Sequence, residues 1–78
     1  MRRTDFDIRH RCAEELQRVF PSDAALARQC GFGLQQAQNW LSCYQVPSAV
    51  SLRVLDQHGV DIYYIITGKR NPAVGGDR

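Results

Sequence analysis

The chain has 78 residues, of which 44% are hydrophobic, and a formal net charge of +2. This length permits one domain at most and is too short to enclose a large active site. No apolar run approaches the ~20 residues that a membrane-spanning helix needs, and no signal-peptide pattern follows the N-terminal arginines. The charge permits binding to nucleic acid without requiring it, because a strongly basic composition is absent. We therefore expect a cytoplasmic protein that has no membrane partner.

The cysteines and histidines do not form a recognisable chemical site. Cys12, Cys30 and Cys43 are an odd number at wide spacing, which favours free buried thiols over a disulfide framework. His10 and His58 fall at no ligand spacing, so a metal site is not expected. No catalytic motif is present either. We expect a protein that is not an enzyme and that uses no cofactor and no small-molecule ligand.

The N-terminal part of the chain predicts a short arm and one helix. Residues 1–5 are polar, basic and without periodicity, so we expect a flexible arm. A first helix follows, with Asp5 or Asp7 as N-cap, and Pro21 ends it just after Phe20. The apolar positions at helical spacing along it are Ile8, Cys12, Leu16, Val19 and Phe20.

Residues 22–41 predict two helices joined by a tight glycine turn. Ser22 is a suitable N-cap for the first helix, and Gly31 stands where a left-handed backbone ends it. The second helix begins after Gly33. Its inward positions at i, i+3, i+4 spacing are Ala37, Trp40 and Leu41, and the residues left to project outwards are Leu34, Gln35, Gln36, Gln38 and Asn39. Such a pair is a helix-turn-helix, whose second helix fits the major groove of DNA.

A loop and a fourth helix follow. Residues 42–47 form the loop, because Pro47 disfavours helical backbone at the residue before it. The fourth helix covers about residues 48–58 and stops at Gly59, with His58 placed favourably at its negative end. Its predicted buried residues are Ala49, Leu52 and Leu55.

Asp61 is a suitable N-cap for a fifth helix over residues 62–67, which Gly68 closes. This helix is too apolar to bury all its side chains on one side. Its outward residues either complete the core or form the seam of a homodimer, and they are Tyr63, Tyr64 and Ile66. Residues 69–78 lack an apolar face and predict a flexible tail.

The chain resembles the phage lambda repressor and Cro type of helix-turn-helix domain over roughly residues 6–70. The matching sequences are Leu-Ala-x-x-Cys-Gly, Gln-x-x-x-Trp-Leu, Val-Pro-Ser and Gly-Val-Asp-Ile-Tyr-Tyr-Ile-Ile-Thr-Gly. Their order and spacing are more specific than any single motif. The resemblance implies an all-α, compact five-helix lambda-repressor-like domain over residues 6–68. It also implies a Cro-like phage or prophage repressor that binds palindromic operator DNA as a homodimer.

The same resemblance implies which residues contact DNA. The base-reading positions are Leu34, Gln35, Gln36 and Asn39, with Gln38 beside them. Carboxamides suit this role because they both donate to and accept from an adenine edge. The implied phosphate-contacting residues are Ser22, Gly33 through its backbone, Ser42, Tyr44, Gln45, Ser48 and Arg53.

Several departures from the family pattern leave a second function open, among them Asp23, which would repel DNA near the expected phosphate path. Gly33 replaces the usual serine or threonine cap, and Leu34 is apolar at a position that often reads bases. No lysine or arginine lies between Gln29 and Arg53, although phosphate neutralisation supplies much of the affinity for DNA. The alternative, indicated by Leu34, Tyr44 and the shortage of basic residues in the third helix, is a helix-turn-helix adaptor that binds another protein, in the manner of an antitoxin or anti-regulator.

Overall fold

The computed structural model describes residues 3–70, which form five helices and no strand. The helices are α1 (Arg3–Val19), α2 (Asp23–Cys30), α3 (Leu34–Leu41), α4 (Ala49–Gln57) and α5 (Ile62–Thr67). A radius of gyration of 11.8 Å is close to the roughly 11.5 Å of a compact chain of this length. The all-α class is therefore confirmed. No helix in the described part of the chain combines the length and the apolar character needed to cross a membrane.

The structure differs from the sequence prediction at the start of α1. Asp5 and Asp7 do not cap this helix, because α1 is already helical at Arg3. Asp5 lies in the first turn, where a negative side chain interacts favourably with the exposed N–H groups. Arg3 also lies 3.8 Å from Asp7 in an i, i+4 ion pair. Three residues of the predicted arm are thus helical, and Met1 and Arg2 lie outside the described residues.

The turn between α2 and α3 has the predicted local chemistry. The Ser22 hydroxyl accepts a hydrogen bond of 3.1 Å from the backbone N–H of Ala25. Gly31 ends α2 in the left-handed region, at φ +78°, and its N–H donates to the carbonyl of Ala27. Gly33 is extended at the N-cap of α3 and provides no side-chain hydrogen bond. All three predicted positions are confirmed.

The ends of α4 and α5 are also as predicted, whereas the buried face of α4 is not. Ser48 caps α4 through the N–H of Ser51 at 3.2 Å, and Asp61 caps α5 through the N–H of Tyr64 at 2.9 Å. The prediction that Ala49 is buried is wrong, because Ala49 is exposed and Ser51 is buried instead. The helix is rotated so that Ser51 and Leu55, one turn apart, face inwards.

The core lies among the five helices, where α3 packs against α1 and α2, and α5 packs against α1 and α4. Trp40 is 2% exposed, and its ring packs edge-on against Phe32 with 4.8 Å between centroids. The other buried apolar side chains of this cluster are Cys12, Leu16, Phe20, Leu26, Ala27, Ala37, Leu55, Val60 and Ile65. This packing fixes the opposite face of α3 towards the outside.

A buried carboxylate that the sequence pattern did not reveal connects α1 to the start of α5. Glu15 is completely buried and receives hydrogen bonds from Arg18, from Arg70 and from the backbone N–H of Asp61. Arg70 also lies over the ring of Tyr64, 3.9 Å from its centroid. Arg70 was predicted to belong to the flexible tail, but these contacts fix it to the domain. The remaining predicted tail, residues 71–78, lies outside the described residues.

Candidate functional site

The outward face of α3 carries polar, uncharged side chains. Gln35, Gln36 and Gln38 are exposed, and Asn39 is half-buried. Leu34 is 50% exposed at the start of the helix. Because Ala37 and Trp40 occupy the opposite side, the predicted division of α3 into inward and outward residues is confirmed.

Three of the amides at this surface form a hydrogen-bonded row. Gln35 Nε2 donates to Asn39 Oδ1 at 3.0 Å, and Asn39 Nδ2 lies 3.4 Å from Gln45 Oε1. We call Gln35, Asn39 and Gln45 the amide row. Each amide has two donor hydrogens and an acceptor oxygen, so the row retains polar groups for a ligand. Gln45, predicted to contact phosphate, therefore lies with the predicted base-reading residues.

Gln38 is held in a different place from the amide row. Its Nε2 donates to Asp23 Oδ2 at 3.1 Å, which links α3 to the first turn of α2. The bond orients Gln38 and partly satisfies the Asp23 carboxylate. Gln36 makes no side-chain hydrogen bond within residues 3–70 and is the least constrained amide of the face.

The predicted phosphate-contacting residues lie at three places in the fold. Ser22 and Gly33 stand at the N-terminal ends of α2 and α3, while Ser42, Tyr44 and Gln45 follow α3. Ser48 caps α4, and Arg53 lies on α4, where it pairs with Asp56 at 3.1 Å. Arg53 contributes to a groove between α4 and α5, which it shares with Tyr63 of the predicted dimer seam.

This groove has a volume of about 370 Å³ and is mainly apolar. The residues that line it are Ala49, Leu52, Arg53, Asp56, Ile62 and Tyr63. Tyr63 and Ile66 are about half exposed. Tyr64 is half-buried, and its hydroxyl donates to Glu14 at 2.8 Å. Of the three predicted seam residues, Tyr63 and Ile66 are therefore more accessible than Tyr64.

Arg9, which no sequence motif marks, reaches the segment that follows α3. Its Nη1 donates to the backbone carbonyl of Tyr44 at 2.8 Å, across 35 positions of sequence. The arginine belongs to α1, and its closeness to Tyr44 depends on the packing of α1 against α3. No local sequence signal identifies such a contact.

The three cysteines are free thiols: Cys12 is buried, and Cys30 and Cys43 are half-buried. Burial raises the pKa of the Cys12 thiol to about 12, and it also raises the pKa of Cys30. Both thiols are therefore protonated and poor nucleophiles at neutral pH. Within residues 3–70, no three His, Cys, Asp or Glu side chains are grouped to hold a metal ion.

Comparison with known proteins gave no match to a family model, to a curated protein or to a solved structure. The structure itself offers two surfaces that could bind a ligand. The outward face of α3 offers hydrogen-bonding amides, and the groove between α4 and α5 offers apolar area. The first suits a ligand with polar edges, and the second suits apolar side chains.

Proposed function

We propose that this chain is a sequence-specific DNA-binding transcriptional regulator, a Cro-like repressor of phage or prophage type. In this proposal α2, residues 31–33 and α3 form the helix-turn-helix of a lambda-repressor-like domain. The helix α3 enters the major groove of a palindromic operator. The sequence resemblance supports the class, and the local geometry of the α2–α3 turn is compatible with it.

The observation that carries the proposal is the amide row on the exposed side of α3. An α-helix with its side chains is about 10–12 Å in diameter, which suits the roughly 12 Å width of the major groove, and the eight residues of α3 extend about 12 Å along its axis. Gln35 and Asn39 are one turn apart and can address neighbouring base pairs. A bidentate contact between a carboxamide and adenine is worth ~1–3 kcal/mol of discrimination. An amide surface without charge thus supplies sequence selectivity.

A homodimer completes the proposal. Small domains bury a modest fraction of their surface and gain stability from a partner. The exposed side chains of Tyr63, which lines the α4–α5 groove, and of Ile66 supply apolar area for a twofold interface. Two copies of α3 would then read half-sites about 34 Å apart on one face of the duplex.

A second candidate is an adaptor that binds a protein through the same region. Its support is a set of exposed apolar side chains: Leu34 on α3, Tyr44 just after α3 at 68%, and Val50 on α4 at 77%. Tyrosine is enriched in protein interfaces, and the exposed leucine and valine add apolar area. The two candidates differ in the ligand of the α3 face, so alanine variants of the amides separate them.

The test compares Gln35→Ala and Asn39→Ala with Gln29→Ala and Gln57→Ala, which remove exposed amides from α2 and α4. Fluorescence anisotropy at low salt measures the affinity for the chain's own upstream region and for random duplex. We expect the α3 variants to lose at least about fivefold in specific affinity, and the control variants to retain it. If the folded wild type binds the upstream region and random duplex with equal affinity, sequence-specific DNA binding is refuted and the adaptor is favoured.

A further inference from the structure

We infer that Arg9 of α1 binds a DNA backbone phosphate next to α3. This inference rests on the proposed DNA-binding function and names the cation that the α3 region itself lacks. Residues 29–52 contain no lysine or arginine, whereas proteins gain much of their affinity for DNA by neutralising phosphates. The cation must therefore come from another element.

Most N-terminal arginines of the described region are occupied elsewhere. Arg3 pairs with Asp7, and Arg18 binds the buried Glu15 through two hydrogen bonds of 2.9 Å. Arg11 donates to the carbonyls of Ile65 and Ile66 at 3.0 and 3.3 Å, where it satisfies the end of α5. Each of these guanidinium groups is directed to another part of the fold.

Arg9 is the arginine of this set that is directed towards α3, and no carboxylate within residues 3–70 pairs with it. Its hydrogen bond to the Tyr44 carbonyl places the guanidinium beside the segment that follows α3. That segment is itself bound to α3, because the N–H groups of Tyr44 and Gln45 both donate to the Asn39 carbonyl, at 2.9 and 3.2 Å. Arg9 is thus held next to the end of the amide row.

The surroundings of Arg9 favour an anion. Its Nε is buried and has no acceptor in the described part of the chain. A partly desolvated cation without a counter-charge interacts more strongly with an anion than a fully hydrated one does. The guanidinium has five N–H donors, and the bond to Tyr44 uses one of them. The remaining outer N–H groups have the fork geometry that suits a phosphate oxygen pair.

A phosphate contact and a base contact have different experimental signatures. Each neutralised phosphate makes the slope of log affinity against log salt concentration steeper by about 0.9, and loss of that contact weakens binding to all sequences alike. The variant Arg9→Gln removes the charge and keeps a donor for the Tyr44 carbonyl. Arg28→Gln is the matched control, because Arg28 is exposed on the last turn of α2 and has no ion pair in the described residues.

Anisotropy titrations over a range of salt concentrations, on duplexes selected by the wild type, test the assignment. For Arg9→Gln we expect about tenfold weaker binding and an unchanged ranking of duplexes. The slope of log affinity against log salt concentration should become shallower by about 0.9. Arg28→Gln should retain the wild-type slope. Arg9→Met, which keeps an apolar stem, repeats the measurement if Arg9→Gln unfolds.

The failures of the two proposals are distinguishable. If the wild type binds selected duplexes and both Arg9 variants keep its salt slope, Arg9 is not a phosphate contact and DNA binding stands. An altered duplex ranking in Arg9→Gln would show that Arg9 only positions Gln45, which also overturns the assignment. If the wild type selects no duplex, the proposed function fails and the role of Arg9 fails with it.

Discussion

The carboxylate of Glu15 in α1 accepts a hydrogen bond of 2.9 Å from the backbone N–H of Asp61, 46 positions later in the chain. The Asp61 carboxylate in turn caps α5. Glu15 therefore fixes the residue that starts α5, and through it the face that carries Tyr63 and Ile66. The five-helix arrangement depends on this buried polar contact as well as on the apolar core.

Replacing Glu15 should destabilise the domain more than replacing its exposed neighbour. Glu15→Ala leaves the buried Asp61 N–H without its acceptor, and we expect a loss of about 2–4 kcal/mol in the free energy of unfolding. Arg18 and Arg70 are about half exposed and regain water, which limits the loss. Glu14→Gln should cost below about 1 kcal/mol. Urea unfolding followed by the fluorescence of Trp40 measures both, and equal losses would contradict the role of Glu15.

The Glu15 contact should also make stability depend on acid pH. Burial alone raises the pKa of this carboxyl, but hydrogen bonds from two guanidinium groups and one backbone N–H outweigh it and lower the pKa from 4.5 to about 2. A lowered folded-state pKa contributes stability above pH 4.5 that is lost as the pH falls towards 2. The full contribution is about 3 kcal/mol, of which about 2 kcal/mol should be gone at pH 3.

The measurement of this dependence compares the wild type with Glu15→Gln at pH 7 and pH 3. The variant lacks the titrating group, so the wild type should lose about 2 kcal/mol more between the two pH values. The other carboxylates are common to both proteins and cancel in the comparison. Parallel losses in the two proteins would show that Glu15 does not titrate with folding.

The two glycines between α2 and α3 should respond differently to substitution. Gly31 has φ +78°, so Gly31→Ala strains the backbone by about 1–2 kcal/mol although no atom obstructs the added Cβ. Gly33 has φ −70° and open space, so Gly33→Ser adds the missing cap and gains a few tenths of a kcal/mol. Thermal unfolding of both variants checks this. A destabilised Gly33→Ser would contradict the capping geometry.

Removing the negative charge of Asp23 should strengthen DNA binding. Asp23 lies at the start of α2, beside the phosphate path of the proposed complex, and it accepts a hydrogen bond from Gln38. Asp23→Asn removes a repulsion of up to ~1 kcal/mol, which corresponds to binding tighter by up to about fivefold. The variant also loses a favourable helix-dipole interaction of about 0.5 kcal/mol. Glu14→Gln is the control, because it also removes one negative charge. Glu14 lies beside Tyr64 of α5, so this variant should leave the affinity for DNA unchanged.

Local signals in the sequence were sufficient for most of the fold. Ser22, Gly31, Asp61 and Gly68 each have a short-range role as a cap or turn, and each occupies its predicted position. The start of α1 was harder to predict because an aspartate suits both an N-cap and the first helical turn. Sequence does not separate these roles within one or two residues.

Contacts between distant residues could not be predicted in the same way. Glu15 and Arg18 are spaced like an ordinary exposed i, i+3 pair, and the burial of Glu15 becomes evident only when Asp61 packs against α1. The link from Arg9 to Tyr44 likewise depends on the packing of α1 against α3. The orientation of the α3 amides was predicted, because helical period alone determines it once Trp40 is inside.

Selection of bound duplexes from random DNA by the wild-type protein tests the central claim most directly. If α3 reads bases as a dimer, the selected duplexes should share a sequence with twofold symmetry and half-sites centred about 10 base pairs apart. Adenines should stand at the positions that face Gln35 and Asn39. A folded protein that enriches no common sequence at low salt would contradict the account, and the α3 face would then be assigned to a protein partner.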